Sequence, residues 1–148
     1  MNYLHQLAKT LDQNYAKLPL LPKSVNEFLV SVVPWLALVF GVLAIVAGLG
    51  AFGLLTAFAP MAAVAGASQY ALAGLFAAVV LLAQGGVELL AFPSLKARKV
   101  KGWNLLYYSL LLSVLSSVVG LNVGSAAGAV VGFLIGYYFL YQIKSYYK

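Results

Sequence analysis

The sequence has 148 residues, of which 64% are hydrophobic and 8% are charged, and its mean hydropathy is +0.97. It contains no cysteine, which excludes disulfides and thiolate chemistry. One histidine and three carboxylates leave little from which to build a metal site or a hydrolytic triad. The composition therefore predicts neither a bound metal nor a cofactor.

Two long stretches of the chain carry no Asp, Glu, Lys, Arg or His. They cover residues 28–87 and 102–143. Because about 20 apolar residues cross a hydrocarbon core, each stretch is long enough for two crossings. The sequence thus predicts one all-α membrane domain over residues 1–148, with four transmembrane helices arranged as two antiparallel hairpins. Too few residues remain outside these helices for a separate soluble core.

Residues 1–18 have the pattern of an amphipathic helix. Their apolar side chains recur at spacings of three and four, while most polar side chains fall elsewhere on the helical wheel. Pro19 and Pro22 follow this segment and are expected to end it. The helix is predicted either to lie on the membrane surface or to pack on the cytoplasmic face of this protein or of a partner, and the pattern favours neither.

Ser24 and Glu27 fit a capping box just before an apolar run, so the first helix is predicted to begin near Val25, with its membrane crossing starting further along the chain. An uncharged loop that contains Pro60 is expected at residues 57–67, and Pro93 is expected to stop the second helix. The four membrane helices are predicted at residues 34–56, 68–92, 103–120 and 123–143.

The basic residues indicate an orientation. All nine Lys and Arg residues lie in the N-terminal tail, in segment 93–102 or in the C-terminal tail. The loop at 57–67 and a tight turn at 120–124, which includes Asn122, carry none. Four crossings place the three basic segments on one side, and positive charge favours the cytoplasmic side. Both termini are therefore predicted to be cytoplasmic, in a multi-pass protein of the cell membrane.

The last predicted helix has a glycine at every fourth position. This stripe consists of Gly124, Gly128, Gly132 and Gly136. Helix backbones approach closely where glycines align, so the stripe predicts a packing face. One partner is helix one or two of the same subunit, with the small residues Gly41, Ala44 and Gly48 as the contact. The alternative partner is a second copy, in a homo-oligomer or a larger membrane complex.

Glu88 is the single ionisable residue expected inside the membrane, and Gln84 lies one turn before it on the same helix face. One hypothesis is that Glu88 binds a proton or a cation, as intramembrane carboxylates commonly do. The other is that it lies near the headgroups and pairs with Arg98, Lys99 or the indole N–H of Trp103.

The densest basic cluster consists of Lys96, Arg98, Lys99 and Lys101. It is expected to set the topology, and contact with anionic lipid headgroups is the second interpretation. Nucleic-acid binding is not expected, because the segment is short and contains no known module. The tyrosines and Trp103 near the ends of the last two helices predict an aromatic belt at the interface, with a ligand pocket as the alternative.

Residues 91–109, AFPSLKARKVKGWNLLYYS, resemble small bacterial four-helix membrane proteins of unknown function. The resemblance covers a short part of the chain. It implies a bacterial inner-membrane protein, and it implies no activity, ligand or site residue.

Two functions from different classes follow from the sequence. The first is a non-enzymatic structural or accessory subunit, or a homo-oligomer, packed through the glycine stripe. The second is a small channel or carrier that uses Glu88 and Gln84 near the cytoplasmic side. An enzyme acting on lipid comes third, because the sequence offers no convincing pair of nucleophile and base.

Overall fold

The computed structural model describes residues 2–119 and 123–148, and within these ranges the chain is helical and contains no strand. The helices are α1 Asn2–Tyr15, α2 Lys23–Val64, α3 Ser68–Lys96, α4 Val100–Val119 and α5 Val123–Ile143, followed by the 3₁₀ turn Lys144–Tyr146. Three segments in the described part are long and apolar enough to cross a membrane: α2, α3 and Ala127–Tyr146. The predicted all-α class is confirmed at this level. Residues 120–122 of the predicted turn, Asn122 among them, lie outside the described ranges.

α2 is one helix of 42 residues, about 63 Å long at 1.5 Å per residue. It contains both Pro34 and Pro60. The loop predicted at residues 57–67 is therefore wrong for the most part, because α2 continues to Val64. A proline removes one backbone hydrogen bond, but the residues around Pro60 are mainly alanine and other helix formers, which keep the chain helical.

Gly66 is the residue that ends α2. Its φ of 70° lies in the left-handed region, which glycine adopts without a steric penalty. The Gly66 N–H donates to the Ala63 carbonyl (3.2 Å), and the Ala67 N–H donates to the Ala62 carbonyl (2.8 Å). These two bonds make a Schellman motif, which satisfies the last carbonyls of the helix.

α2 begins at Lys23, close to the predicted start near Val25, but its capping differs from the prediction. The capping residue is Pro22, and no side chain caps the helix, so the capping box of Ser24 and Glu27 does not form. Instead, the N–H groups of Val25 and Asn26 both donate to the Pro22 carbonyl (3.0 and 3.1 Å). Ser24 therefore lies inside the first turn, two positions too late to act as the cap.

α3 does not stop before Pro93, as had been predicted, but continues for one further turn to Lys96. α4 then begins at Val100, three residues before Trp103. The connection between the two helices is correspondingly shorter than the sequence indicated.

Arg98 ends α3 in the manner in which Gly66 ends α2. Its φ is 53°, and it is the one described non-glycine residue with a left-handed backbone. The Arg98 N–H donates to the Leu95 carbonyl and the Lys99 N–H to the Ser94 carbonyl, both at 2.9 Å. The Lys148 N–H donates to the Arg98 carbonyl (3.0 Å), so the C-terminal residue also holds this turn in place.

Consecutive helices pack side by side in the order α2, α3, α4 and α5, and α2 makes few contacts with α5. The small residues of α2 face α3. A Cβ on Gly41 would lie 3.1 Å from the Gly85 carbonyl oxygen, and one on Gly48 would lie 2.8 Å from Leu82. The stripe predicted to receive the last helix therefore receives α3, because Gly85 lets the α3 backbone approach closely.

The C-terminal half of α1 lies against α5. Asp12 forms an ion pair with Lys144, and it accepts a hydrogen bond from the Tyr137 hydroxyl (2.8 Å). The Tyr15 hydroxyl donates to the Leu134 carbonyl (2.9 Å). Of the two locations predicted for the amphipathic helix, packing on this protein's own surface accounts for these contacts.

The linker after α1 continues the same attachment. The Tyr138 hydroxyl and the Gln142 amide both donate to the Pro19 carbonyl (2.8 and 3.2 Å), and the Leu21 N–H donates to the Gln142 side-chain oxygen (3.2 Å). The N-terminal segment, the α3–α4 turn and the C-terminus therefore lie at the same end of the helix bundle.

The aromatic residues at this end form a core and not only a belt. Trp103, Tyr107 and Tyr137 are buried, and the Trp103 ring is nearly parallel to that of Tyr107, with centroids 6.0 Å apart. The Trp103 indole donates to the Leu140 carbonyl (2.8 Å). Trp35, in contrast, is exposed, so the two tryptophans have different environments.

Candidate ligand cleft at Glu88

Glu88 is located where α3 meets both α2 and α4. A Cβ on Gly41 of α2 would lie 3.1 Å from the Glu88 Cβ, which shows how closely α2 approaches this turn of α3. The carboxylate extends to Ser109 of α4. Although it is ionisable, Glu88 is only 8% exposed.

The two oxygens of the Glu88 carboxylate have different surroundings. Oε1 accepts hydrogen bonds from the Ser109 hydroxyl (2.6 Å) and from the Gln84 amide nitrogen (3.1 Å). Oε2 is buried, and no described residue gives it a hydrogen bond. Because a buried carboxylate oxygen without a donor is costly, Oε2 marks a position where a ligand would be stabilised.

The carboxylate faces a cleft of about 560 Å³, hereafter the Glu88 cleft. Polar groups in its described lining come from Gln84, Glu88 and Ser109 only. The remaining lining is apolar: Val33, Leu36, Ala37, Phe40, Leu43, Ala44, Ala47, Leu81, Leu106, Leu110, Gly136, Phe139, Leu140 and Ile143. A cavity of this size with few polar groups is typical of sites for small, largely apolar molecules.

Residues of both α2 and α5, two helices that make few direct contacts with each other, line the cleft. Phe40 of α2 and Phe139 of α5 both line it, and they are 56% and 41% exposed.

Among the residues that the structure describes, no basic side chain pairs with Glu88. The Trp103 indole, one of the predicted partners, donates to Leu140 instead. Arg98 and Lys99 lie in the turn after α3 and are exposed, and Glu88 is two turns further back, about 12 Å from Lys96 along the helix. That distance is too great for direct pairing with the turn, and it explains why this prediction is wrong.

The glycine stripe on α5 is divided between two environments. A Cβ on Gly136 would contact Leu110 of α4 at 3.0 Å, whereas Cβ atoms on Gly128 and Gly132 would meet nothing within 4 Å. Gly124 belongs to the first turn of α5, and its surroundings are not described. The central part of the stripe is thus exposed, not packed on another helix of the same subunit.

The basic cluster is divided as well. Lys96 and Arg98 line a smaller pocket next to Trp35, and Lys99 and Lys101 are exposed and lie outside it. Four residues that are grouped in the sequence therefore have two different environments.

Ser109 is the site residue that the sequence did not reveal. It is 3% exposed and makes the shorter of the two bonds to Glu88. The available signal was a polar residue in an otherwise apolar helix, but Ser113, Ser116 and Ser117 carry the same signal in α4. The described residues contain no group of three or more His, Cys, Asp and Glu that could hold a metal ion.

Comparisons with known proteins give no family to which this site could be assigned. The chain matches no protein family, no curated protein and no solved structure. The geometry of the cleft and of the helix surfaces is therefore what bears on function.

Proposed function

We propose that this protein is a small, non-enzymatic membrane carrier that binds a cation with an apolar body in the Glu88 cleft. The observation that supports the proposal is Glu88 itself: it lines the cleft, and its buried Oε2 accepts no hydrogen bond from any described residue. A cationic group that bears N–H donors would supply both charge and hydrogen bond. A cation without them would be attracted by charge alone.

The neighbours of Glu88 support a binding role. Ser109 and Gln84 both donate to Oε1, which fixes the carboxylate and leaves the acceptor capacity of Oε2 for a ligand. The apolar lining fits an apolar body, and it offers few groups to replace the water around a hydrated inorganic ion. The geometry therefore favours the carrier over the channel.

The carrier requires the cleft to lie within the bilayer, and we place it there with four crossings. α4 is not among the helices that length and apolar composition identify as spans. Its packing between α3 and α5 supports its assignment as the fourth crossing. The contacts of Lys148 with Arg98 and of Leu21 with Gln142 support an even number of crossings, because they join the chain ends and the middle turn. The basic residues at that end of the bundle favour the cytoplasmic side. Thiol labelling of single cysteines at Ser94 and at Ala65, which lie near opposite ends of α3, tests this orientation.

The Glu88→Gln variant is expected to bind a lipophilic cation at least ten-fold more weakly than the natural protein. Glutamine keeps an oxygen for Ser109 and Gln84 but removes the charge, which is what attracts a cation that has no N–H donors, and a ten-fold loss corresponds to about 1.4 kcal/mol. Equilibrium dialysis of the detergent-solubilised protein against tetraphenylphosphonium measures the difference, and uptake of the same cation into proteoliposomes tests transport.

Glu27→Gln is the matched control, because Glu27 is an exposed carboxylate at the start of α2 and lies outside the cleft. It removes the same charge and should leave binding unchanged. Equal binding by the Glu88→Gln variant, with its melting temperature intact, would remove Glu88 from the proposal. Binding without uptake would leave a binding protein and exclude the carrier.

The second candidate function is a homo-oligomer or accessory subunit packed through α5. Gly128, Val131, Gly132 and Ile135 follow the spacing of one helix face, and all four are exposed. The two glycines leave a groove on this face, and the two β-branched residues form a ridge beside it. Closely packed helix pairs in membranes use this combination. This face is therefore available for a second copy or for a helix of a larger complex.

Gly128→Leu together with Gly132→Leu is expected not to lower the melting temperature of the monomer, because a Cβ at either position would meet nothing within 4 Å. If the face joins two copies, the double variant should have half the natural mass in mild detergent, as measured by light scattering. A natural protein that is already monomeric in lipid nanodiscs would contradict the homo-oligomer, while an accessory subunit would still require its partner.

A further inference from the structure

A second, more polar pocket lies between the start of α2 and the end of α3, outside the Glu88 cleft. We name it the Arg98 pocket. Its volume is about 150 Å³, and it is lined by Val30, Ser31, Pro34, Trp35, Leu95, Lys96 and Arg98. The pocket thus brings two positive charges and one exposed indole to the end of the bundle where the termini lie.

The two cations in this pocket have no acidic partner among the described residues. The ion pair that the described residues contain joins Asp12 and Lys144. Lys96 instead lies over the ring of Trp35, with Nζ 5.2 Å from the ring centre. An indole face attracts a cation but does not neutralise it, so the pocket keeps its positive charge.

The backbone at Arg98 gives an independent indication that this side chain is used. Arg98 occupies the left-handed position that ends α3, where glycine is usual and any other residue is strained. Two backbone hydrogen bonds, to the carbonyls of Leu95 and Ser94, and a third from the Lys148 N–H to the Arg98 carbonyl hold the residue in this conformation. Burial raises the pKa of the nearby Tyr147 hydroxyl, and the Arg98 charge opposes that rise. An arginine kept at a glycine position indicates that its guanidinium has a role.

We propose that the Arg98 pocket binds the phosphate of an anionic lipid headgroup. A guanidinium can donate two parallel bonds to a phosphate, and the Lys96 ammonium adds a second charge. The full charges of both residues exceed the partial negative charge at the C-terminus of α3. Trp35 is 53% exposed beside them, and indole rings of this kind lie at the level of the headgroups.

The Arg98→Gly variant separates binding from stability. Glycine suits the left-handed backbone, so the variant in lipid-free detergent should melt at the same temperature as the natural protein or higher. Its apparent affinity for short-chain phosphatidylglycerol should be roughly ten-fold weaker, because the bidentate contact is lost. The rise in melting temperature with added lipid measures that affinity, and Lys96→Gln should weaken it in the same direction.

Lys99→Gln is the matched control, because it removes one charge from the same turn but none from the pocket. It should bind phosphatidylglycerol as the natural protein does, and phosphatidylcholine should stabilise none of the variants. Equal losses in Lys99→Gln and Arg98→Gly would overturn the site in favour of general attraction to negative lipid. If inorganic phosphate raised the melting temperature as much as phosphatidylglycerol did, the lipid would be overturned as the occupant of the pocket, and free phosphate would take its place.

Discussion

Replacing Gly85 by alanine is expected to lower the free energy of unfolding by about 1–3 kcal/mol, the usual cost of overpacking. The added Cβ would lie 2.7 Å from the Gly41 carbonyl oxygen and 2.8 Å from Cγ1 of Ile45. The first contact is with backbone, so it cannot be relieved by rotating a side chain, and α2 and α3 would have to separate. The melting temperature in detergent, followed by circular dichroism, measures the loss.

The adjacent residue supplies the control for this prediction. A Cβ on Gly86 would meet nothing within 4 Å. Alanine forms helix better than glycine by up to about 1 kcal/mol, so Gly86→Ala should leave the melting temperature unchanged or raise it. If both alanine variants were destabilised equally, the close crossing of α2 and α3 at Gly85 would be wrong.

Trp103→Ala is expected to lower the free energy of unfolding by about 3–5 kcal/mol, as is typical when a large buried aromatic residue is removed. Trp103 is 4% exposed, and it donates a hydrogen bond to the Leu140 carbonyl of α5. The truncation leaves a cavity beside Tyr107 and removes the donor of that carbonyl. Thermal unfolding of the full chain in detergent measures the effect.

Trp35→Ala removes the same side chain from an exposed position on α2. Trp35 contacts Phe92, with ring centres 5.6 Å apart, and the cation of Lys96. Exposed contacts of this kind contribute about 1 kcal/mol or less, so the variant should melt within a few degrees of the natural protein. Similar losses for the two variants would show that Trp103 is not part of a core.

The helical class could be predicted from the sequence because it depends on one strong requirement. A backbone in hydrocarbon must satisfy its own hydrogen bonds, so long stretches without charge are helical whatever their detailed sequence. The ends of the helices were less predictable. Pro60 and Pro93 were expected to break α2 and α3, yet each costs only local hydrogen bonding and lies inside its helix.

The actual ends depend on residues in the left-handed conformation. Gly66 was compatible with such an end, but the sequence contains many glycines, most of which lie within helices. Arg98 could not have been predicted, because arginine favours helix and the position is held by bonds to Leu95 and to the distant Lys148. Tertiary contacts override the local preference at this point.

The candidate site was predictable in part for a related reason. Glu88 and Gln84 are one turn apart, and their hydrogen bond follows from helix geometry alone. Ser109 is 21 residues away, and its bond to Glu88 depends on how far α4 is shifted along α3. The sequence does not encode that register in any local pattern, so four serines in α4 were equivalent until the helices were packed.

The attachment of α1 to α5 constrains the order in which the chain can assemble. Asp12 and Lys144 are separated by 132 positions, and Pro19 and Gln142 by 123. During synthesis, the first segment leaves the ribosome long before its binding surface exists, so α1 cannot dock until the last helix has been inserted. Until then, the apolar face of α1 has no binding surface on this protein, and it can be buried temporarily by lying on the membrane surface. Docking of α1 would therefore follow the synthesis of α5, and a chain truncated before α5 would keep its N-terminal helix undocked.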